Sequence, residues 1–131
     1  DVINVAGHRL STGSMEAVLA AHPAVAECAV IGVRDALKGQ LPRGFVVLKA
    51  GADIAEEVLR EELVAAVRRD IGPVAAFREV SVVEALPKTR SGKILRKTMR
   101  GIADGRDEPV PSTIEDAAVL ETLRPILRHE A

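Results

Sequence analysis

Short runs of apolar, often β-branched residues recur along the chain and predict strands at four places. A turn of small and polar residues, Ala6-Gly7-His8-Arg9, follows the first strand. A longer polar segment, Asp35 to Pro42, is predicted as the loop that connects the two middle strands. The predicted strands cover Val2 to Val5, Val25 to Val33, Gly44 to Ala50 and Arg78 to Glu84.

Apolar residues spaced three and four apart predict two amphipathic helices between these strands. Ser11 or Thr12 is placed to cap the first helix. Asp53 and Glu56 have the capping-box spacing for the second helix, which Gly72-Pro73 closes. The inward faces are predicted to carry Met15, Val18 and Leu19 in the first helix, and Val58, Leu59, Leu63, Val67 and Ile71 in the second.

A segment of basic and small polar residues from Pro87 to Lys97 leads into a third helix that is predicted to extend to about Ala103. Its proline and small polar residues disfavour regular structure, and Ser91 is placed to cap the helix. Lys93 is therefore predicted at the junction between a loop and a helix. The apolar stripe of this helix is predicted to consist of Ile94, Leu95, Thr98, Met99 and Ile102.

The order of these elements does not alternate regularly enough for a doubly wound sheet, and it predicts an α+β fold. We expect a small, mostly antiparallel three-stranded sheet plus the short N-terminal strand, packed with helices. Residues 1–104 are predicted to form one domain and residues 105–131 a tail. Within the tail, Ile114 to Leu127 is predicted to form a helix that is broken or bent near Pro125.

The composition limits the classes of function. Phe45 and Phe77 are the only aromatic residues among 131, so the core must be aliphatic and base stacking on aromatic side chains is nearly excluded. The net charge of −1 does not favour a general polyanion binder. The single cysteine, Cys28, is expected to be a buried, inert thiol. No apolar run approaches the roughly 18 residues that a membrane-spanning helix needs.

Six cations and no acidic residue lie between Pro87 and Arg100, and we call these residues the basic stretch. A lysine at a helix start can reach into a partner's cleft, and the helix N-terminus favours anions at the same place. This chemistry suits phosphate or carboxylate ligands. A solvated basic helix start is the simpler alternative. A Walker phosphate loop is excluded, because Pro87 and Ile94 stand where it needs Gly and Ser or Thr.

Four segments together resemble the small C-terminal domain of the adenylate-forming acyl-CoA synthetases. The similarity is greatest to the short-chain acetyl- and propionyl-CoA synthetases. Because the chain opens on Asp1 rather than Met, we expect it to be a piece of a longer protein. The segments are Val2 to Leu10, Lys38-Gly39-Gln40, Ile71-Gly72-Pro73 and Pro87 to Lys93, and Ser112 to Asp116 in the tail adds to the similarity.

The resemblance implies an ATP-dependent ligase that forms an acyl-adenylate from a small carboxylate and then transfers the acyl group to coenzyme A. It implies ATP or AMP, coenzyme A and Mg²⁺ as ligands, with an N-terminal adenylation domain holding ATP and Mg²⁺. The small domain is a mobile lid that rotates between the two half-reactions, so this piece alone is expected to be inactive. The expected location is the cytoplasm, or the mitochondrial matrix in a eukaryote, with no nucleic-acid or membrane partner.

The resemblance also implies roles for individual residues. Lys93 would serve adenylation and would be the target of a lysine acyltransferase and a deacylase. After rotation, Gly7 would leave room for the pantetheine arm of coenzyme A, and Arg9 would face phosphate. Ala6 stands where acetate-type members often carry serine, so only its backbone would contact coenzyme A. Arg68 stands where short-chain members place an arginine that meets the nucleotide phosphate; an arginine paired along its helix is the alternative.

Two other functions are compatible with the residues alone. One is a stand-alone anion or nucleic-acid binding module that uses the basic helix, and the other is an interaction domain that docks a partner subunit. No metal site can be assembled from the spacing of His8, His22 and His129. In the family the hinge aspartate belongs to an acidic pair, of which this chain carries only Asp1.

Overall fold

The computed structural model describes residues 1–129, in which five strands form one sheet and four α-helices pack on it. The predicted α+β class is therefore confirmed. The strands are β1 (Val2–Val5), β2 (His8–Ser11), β3 (Val25–Asp35), β4 (Gly39–Leu48) and β5 (Glu79–Val82). The helices are α1 (Thr12–Ala20), α2 (Glu56–Asp70), α3 (Arg96–Ala103) and α4 (Ala117–Leu127), and a 3-10 turn covers Pro73–Ala75.

The long antiparallel pair β3 and β4 is the centre of the sheet. Its register runs from Asp35 opposite Gly39 to Val25 opposite Leu48. The hairpin β1–β2 joins β4 at a single pair, Val5 with Gly39. Strand β5 is parallel to β4, because helix α2 lies between them in the chain and returns it to the end at which β4 began. The sheet is thus mostly antiparallel, as predicted, with one parallel edge.

The first hairpin adds a strand that the sequence analysis missed. His8 and Arg9 were predicted in a turn but begin β2. The turn needs only Ala6 and Gly7, whose φ angles are 49° and 86°. A two-residue turn with both φ angles positive matches the twist of its flanking strands, so pairing resumes immediately after it.

Strand β4 begins at Gly39 rather than Gly44, so the predicted loop from Asp35 to Pro42 is wrong. Pro42 lies within the strand, opposite Gly32 of β3. On its other side β4 pairs with β1 at Gly39 and with β5 from Arg43 onward. Pro42 lies between these two pairings, where a residue without an N–H is tolerated.

Each face of the sheet carries its own apolar cluster. Val30 and Val46 point to the face covered by α1 and α2, whereas Ala29, Ile31 and Phe45 point to the face covered by α3 and α4. Alternate residues of the two central strands are therefore buried on opposite sides, as the twofold period of a strand requires. The result is three layers, with the sheet in the middle.

Helix α4 completes the second cluster with three buried leucines, Leu120, Leu123 and Leu127. It begins at Ala117, where Asp116 caps it by accepting a hydrogen bond from the Ala118 N–H (3.0 Å). It continues through Pro125 to Leu127, so the predicted break does not occur. Proline here lies in the last turn, where one lost hydrogen bond costs least.

Buried Arg43 of β4 holds the end of α4. Its Nη1 and Nη2 donate to the carbonyls of Leu127 (2.9 Å) and Ile126 (3.1 Å), which are acceptors that a helix end leaves open. Its Nε lies 3.1 Å from Glu79 Oε2 but is not aligned for a hydrogen bond. Burial lowers the pKa of Arg43 and Glu79 opposes that change. The tail is thus joined to the centre of the sheet.

Helix starts agree with the sequence patterns at α1 but not at α2. Ser11 caps α1 by accepting from the Ser14 N–H (3.2 Å), as predicted. Helix α2 begins at Glu56 after Ala55, with no side-chain cap, so the cap predicted at Asp53 is wrong. A side chain two positions before Ala55 is too far from the first turn to accept from it.

The buried stripe of α2 consists of Leu59, Leu63 and Val67, which recur every four residues. Val58 was also predicted to face inward but is 46% exposed, whereas Leu59 is fully buried. Adjacent helical residues point about 100° apart, so only one of the two can lie on the centre of the stripe.

Replacing Leu59 by Ala should therefore lower the free energy of unfolding by about 2–5 kcal/mol, because it leaves a cavity between α2 and the sheet. Val58→Ala is the matched control and should change that free energy by no more than about 0.5 kcal/mol. Urea denaturation followed by circular dichroism measures both. Equal losses would contradict the assignment of the buried face.

Candidate functional site

Lys93 lies at the exposed end of a tight loop, residues 89–93, which we call the Lys93 loop. The Thr89 N–H donates to the Lys93 carbonyl (2.9 Å), and the Gly92 N–H donates to the Thr89 carbonyl (2.9 Å). The Lys93 N–H donates to Thr89 Oγ1 (3.1 Å), which also pairs with Ser91 Oγ (2.9 Å). A β-bridge between Lys88 and Ile94 closes the loop. The backbone that carries Lys93 is thus fixed while its side chain projects.

The cap predicted at Ser91 is wrong, because Ser91 lies four residues before Leu95, which occupies the cap position, and its hydroxyl pairs with Thr89 in the loop. Helix α3 begins at Arg96, after Leu95, and has no side-chain cap. Lys93 therefore lies in a hairpin-like loop and not at a helix N-terminus. The helix dipole falls off within the first turn, so the predicted contribution of a helix start to anion binding does not apply to Lys93.

The segment 112–115 of the tail pairs with the Lys93 loop. The Arg90 N–H donates to the Thr113 carbonyl (3.1 Å), and Arg90 Nη1 donates to the Ser112 carbonyl (3.2 Å). The Glu115 N–H donates to the Lys88 carbonyl (2.8 Å). Ile114 between them is buried in the cluster under α4. The tail is thus part of the scaffold that holds the loop.

Most cations of the basic stretch have partners inside the domain. Among residues 1–129, Lys93 and Lys97 are the two of the six without an ion pair or side-chain hydrogen bond, and both are exposed. The other four are occupied as follows: Lys88 pairs with Glu27, Arg96 with Glu16 and Arg100 with Asp1, and Arg90 donates to the carbonyl of Ser112.

Glu16 of α1 and Arg96 of α3 form the best-aligned of these pairs. Glu16 Oε2 accepts from Arg96 Nε (2.8 Å) and Oε1 accepts from Nη2 (2.7 Å). Oε2 also accepts from the Val30 N–H of β3 (2.8 Å). The hydrogen bonds to Glu16 raise the pKa of Arg96. The pairing of Glu16 with Arg96 could not be predicted from the sequence, because no local spacing relates residues 80 positions apart.

Lys93 and Lys97 line an open groove of about 650 Å³ together with Asp1, Thr12 and the start of α3, and we call it the Lys93 groove. Thr12 fixes this edge of the groove, since its N–H (2.9 Å) and Oγ1 (3.1 Å) both donate to the Asp1 carbonyl. The groove thus presents two exposed ammonium groups beside the open end of the β1–β2 hairpin. Such a surface can accept an anion.

The Ala6-Gly7 turn at the other end of that hairpin, which we call the Gly7 turn, contains or adjoins residues predicted to contact coenzyme A. Ala6, Gly7 and Arg9 are all exposed. The Ala6 N–H donates to the Lys38 carbonyl (2.8 Å), which fixes the turn against the β3–β4 connection. A Cβ atom at Gly7 would meet no atom within 4 Å, so glycine is required there by its φ of +86° and not by crowding within the domain.

Lys93 and Gly7 therefore lie at opposite ends of one hairpin. The four residues of β1 separate Asp1 from the turn, so Asp1 and Ala6 are five residue steps apart, which corresponds to about 16 Å at the usual rise per residue. One face of a partner would meet the Lys93 groove and another the Gly7 turn. The structure does not bring the two predicted groups together.

Arg68 lies neither in the Lys93 groove nor at the Gly7 turn. It is exposed on α2 and lines a small groove with Val64, Phe77 and Arg78. No ion pair or side-chain hydrogen bond of Arg68 occurs within residues 1–129, and Glu62 instead pairs with His22 (2.8 Å). The alternative of an arginine paired along its helix is therefore not realised.

Other candidate chemistry is weak in the part of the chain that the structure describes. No group of three or more His, Cys, Asp or Glu side chains is placed to hold a metal ion there. Burial, followed by the charge of Glu16, raises the pKa of the Cys28 thiol to about 11, which fits the predicted inert thiol although the residue is only half-buried. Residues 1–129 contain no helix long and apolar enough to cross a membrane.

Comparison with known proteins agrees with the predicted resemblance. The model of the AMP-binding enzyme C-terminal domain family matches residues 14–93. An uncharacterized protein of Pseudomonas aeruginosa is 62% identical over 98% of this chain and 20% of its own length. The mitochondrial acyl-CoA synthetase short-chain family member B of Dictyostelium discoideum is 56% identical over 94% of this chain and 18% of its own length.

The fold is also similar to a solved structure. The crystal structure of an acyl-CoA synthetase of Brucella canis aligns with 76% of this chain and 18% of its own length, at 39% identity and a TM-score of 0.69. The chain thus spans about a fifth of the length of the proteins it matches. From the match to the family and these identities, the chain belongs to the AMP-binding enzyme C-terminal domain family.

Proposed function

We propose that this chain is the mobile C-terminal lid of a short-chain, AMP-forming acyl-CoA synthetase that acts on a small carboxylate such as acetate or propionate. The observation that carries the proposal is the placement of the Lys93 groove and the Gly7 turn at opposite ends of the β1–β2 hairpin. Rotation of one rigid domain would present first one end and then the other to the same active site. A relative named for short-chain acyl-CoA synthesis supports the substrate class.

Lys93 acts in the first half-reaction, in which a carboxylate attacks the α-phosphate of ATP. Both groups are anionic, so a preorganised ammonium group stabilises the charge that gathers as they approach. The exposed side chain and the fixed backbone of the Lys93 loop support this role. Because the role depends on charge, a lysine acyltransferase would switch it off and a deacylase would restore it.

The Gly7 turn acts in the second half-reaction, in which coenzyme A attacks the acyl-adenylate. Gly7 leaves space for the pantetheine arm, and the backbone of Ala6 borders it. Arg9 is exposed two residues further along β2, where it meets a phosphate of the coenzyme. Arg68, which has no ion pair or side-chain hydrogen bond within residues 1–129, binds the nucleotide phosphate of coenzyme A from α2. ATP and Mg²⁺ are held by the N-terminal adenylation domain.

The lid comprises residues 1–104, and the tail from residue 105 moves with it. The hydrogen bonds between residues 112–115 and the Lys93 loop support a tail that moves together with the lid. If the tail stayed behind during rotation, the hydrogen bonds that shape the loop would have to break in every catalytic cycle. The tail therefore supports the Lys93 loop and moves with the lid during rotation.

The alternative of a nucleic-acid binding module has less support. Nucleic-acid affinity depends on the number of phosphates that free cations neutralise. Ion pairs inside the domain neutralise three of the six cations in the basic stretch, and Arg90 donates to the carbonyl of Ser112, so within residues 1–129 Lys93 and Lys97 are the two whose side chains have no partner. Two ammonium groups suit a small anionic ligand better than a polyanion.

Replacing Lys93 by Ala, with the N-terminal adenylation domain present in the same polypeptide, should lower the rate of carboxylate-dependent ATP–pyrophosphate exchange by on the order of a hundredfold or more, because one charge-stabilising donor is lost. Lys49→Ala is the matched control, since Lys49 is exposed and lies away from the groove. Exchange that persisted in Lys93→Ala at the rate of the control would contradict the role of Lys93.

Replacing Gly7 by Leu should block thioester formation while sparing ATP–pyrophosphate exchange. The side chain meets nothing within this domain, so its steric effect appears only when the pantetheine arm is present. Gly51→Leu controls for backbone strain, because Gly51 has a φ of +78° and similarly open surroundings. We expect thioester formation to fall at least about tenfold for Gly7→Leu alone, since both variants carry the same strain of roughly 1–2 kcal/mol. Equal loss of both half-reactions in Gly7→Leu would refute the two-ended arrangement.

A further inference from the structure

We propose that Glu16 is a positioning residue for adenylation, which acts on Lys93 through Arg96. This inference rests on the proposed function and names a residue that supports the same site. Glu16 lies on α1 and lines the groove with Lys93, and its carboxylate binds Arg96, the first residue of the helix that follows Lys93.

The carboxylate of Glu16 joins three elements of the fold. It accepts two parallel hydrogen bonds from Arg96, at 2.8 and 2.7 Å, and a third from the Val30 N–H of β3 at 2.8 Å. A forked guanidinium pair with a carboxylate fixes orientation as well as distance. Helix α1, the edge of β3 and the first residue of α3 are therefore held at one point.

The position of Arg96 is transmitted to Lys93 over a short, hydrogen-bonded connection. Only Ile94 and Leu95 separate the two residues. The Leu95 N–H donates to the Pro87 carbonyl (2.9 Å), and Ile94 forms a β-bridge with Lys88. A displacement of Arg96 would move both ends of the Lys93 loop together.

Burial makes this pair stronger than an ordinary surface ion pair. The side chain of Glu16 is 17% exposed and that of Arg96 is 31% exposed. Partly buried charges are screened less by salt, and removing one partner leaves the other poorly solvated. The carboxylate of Glu16 also neutralises Arg96. Arg96 therefore does not compete with Lys93 for the substrate phosphate.

The effect should be confined to one half-reaction. Glu16 and Arg96 lie beside the Lys93 groove, whereas coenzyme A transfer uses the Gly7 turn at the far end of the hairpin. A residue that served only the stability of the fold would affect both half-reactions alike. The comparison of the two half-reactions therefore separates positioning from a general structural role.

The test uses Glu16→Gln in the polypeptide that includes the N-terminal adenylation domain. Glutamine offers a single acceptor oxygen and cannot serve Val30 and both nitrogens of Arg96 together. We expect the kcat of ATP–pyrophosphate exchange to fall about tenfold, since misplacement of a catalytic group by about 1 Å can cost up to a hundredfold. Thioester formation from added acyl-adenylate and coenzyme A should change by less than about twofold.

A double-mutant cycle identifies Lys93 as the residue through which Glu16 acts. In a Lys93→Ala background, Glu16→Gln should cause no further loss of exchange, because the group that it positions is absent. Arg96→Lys removes the fork but keeps the charge and should cause the same selective loss. Glu121→Gln is the matched control, since Glu121 pairs with Arg124 (3.0 Å) on α4 and should leave both half-reactions unchanged.

Two results would overturn the inference. Equal losses in the two half-reactions, or additive losses in the double mutant, would show that Glu16 only stabilises the fold. Unchanged exchange in both Glu16→Gln and Arg96→Lys, while Lys93→Ala abolishes exchange, would refute the positioning role and leave the proposed function intact. By contrast, failure of the proposed function itself would appear as undiminished exchange in Lys93→Ala.

Discussion

The antiparallel pairing of β3 with β4 is the constraint on which the other parts of the domain depend. Because alternate residues such as Val30 and Ile31 are buried on opposite faces, neither face can be left in contact with water. Helices α1 and α2 cover one face, and α3 alone is too short to cover the other. Helix α4 is therefore needed, and buried Arg43 joins its end to β4. The segment between α3 and α4 must then cross the Lys93 loop, which brings residues 112–115 into contact with it.

The candidate functional segments lie where this framework ends. The Lys93 loop and the Gly7 turn are both tight, hydrogen-bonded connections whose backbones are fixed by neighbouring carbonyl groups. Each presents an exposed residue, Lys93 in the loop and Gly7 in the turn. A side chain held in this way loses little conformational freedom when it meets a ligand, because its backbone is already ordered. The arrangement suits a domain that contributes a few residues to ligands bound mainly by another domain.

Much of the fold follows from local patterns, and the exceptions have physical causes. The α+β class, the first strand, the cap at Ser11 and the buried face of α2 around Leu59 were all predictable, because periodicity and capping act over a few residues. The early start of β4 was not, since Pro42 is acceptable only where a neighbouring strand is missing. The cap at Ser91 failed because α3 begins only at Arg96, with Leu95 at the cap position, so the Ser91 hydroxyl lies too far from the helix and pairs with Thr89 instead. The pair Glu16 and Arg96 depends on packing between distant elements, which no spacing along the chain encodes.

The basic stretch shows why charge in a sequence is a poor measure of charge available to a ligand. Six cations within a short stretch suggest a broad positive surface, but ion pairs inside the domain neutralise three of them and a carbonyl hydrogen bond holds Arg90. Charges that are paired within a fold contribute little to the field at a distance. Within the groove, the cations of the described residues that remain unpaired are Lys93 and Lys97, which lie beside fixed backbone. With so few cations, the position of each ammonium group matters more than the total number of cations. Chemistry at a single phosphate requires charge placed in this way.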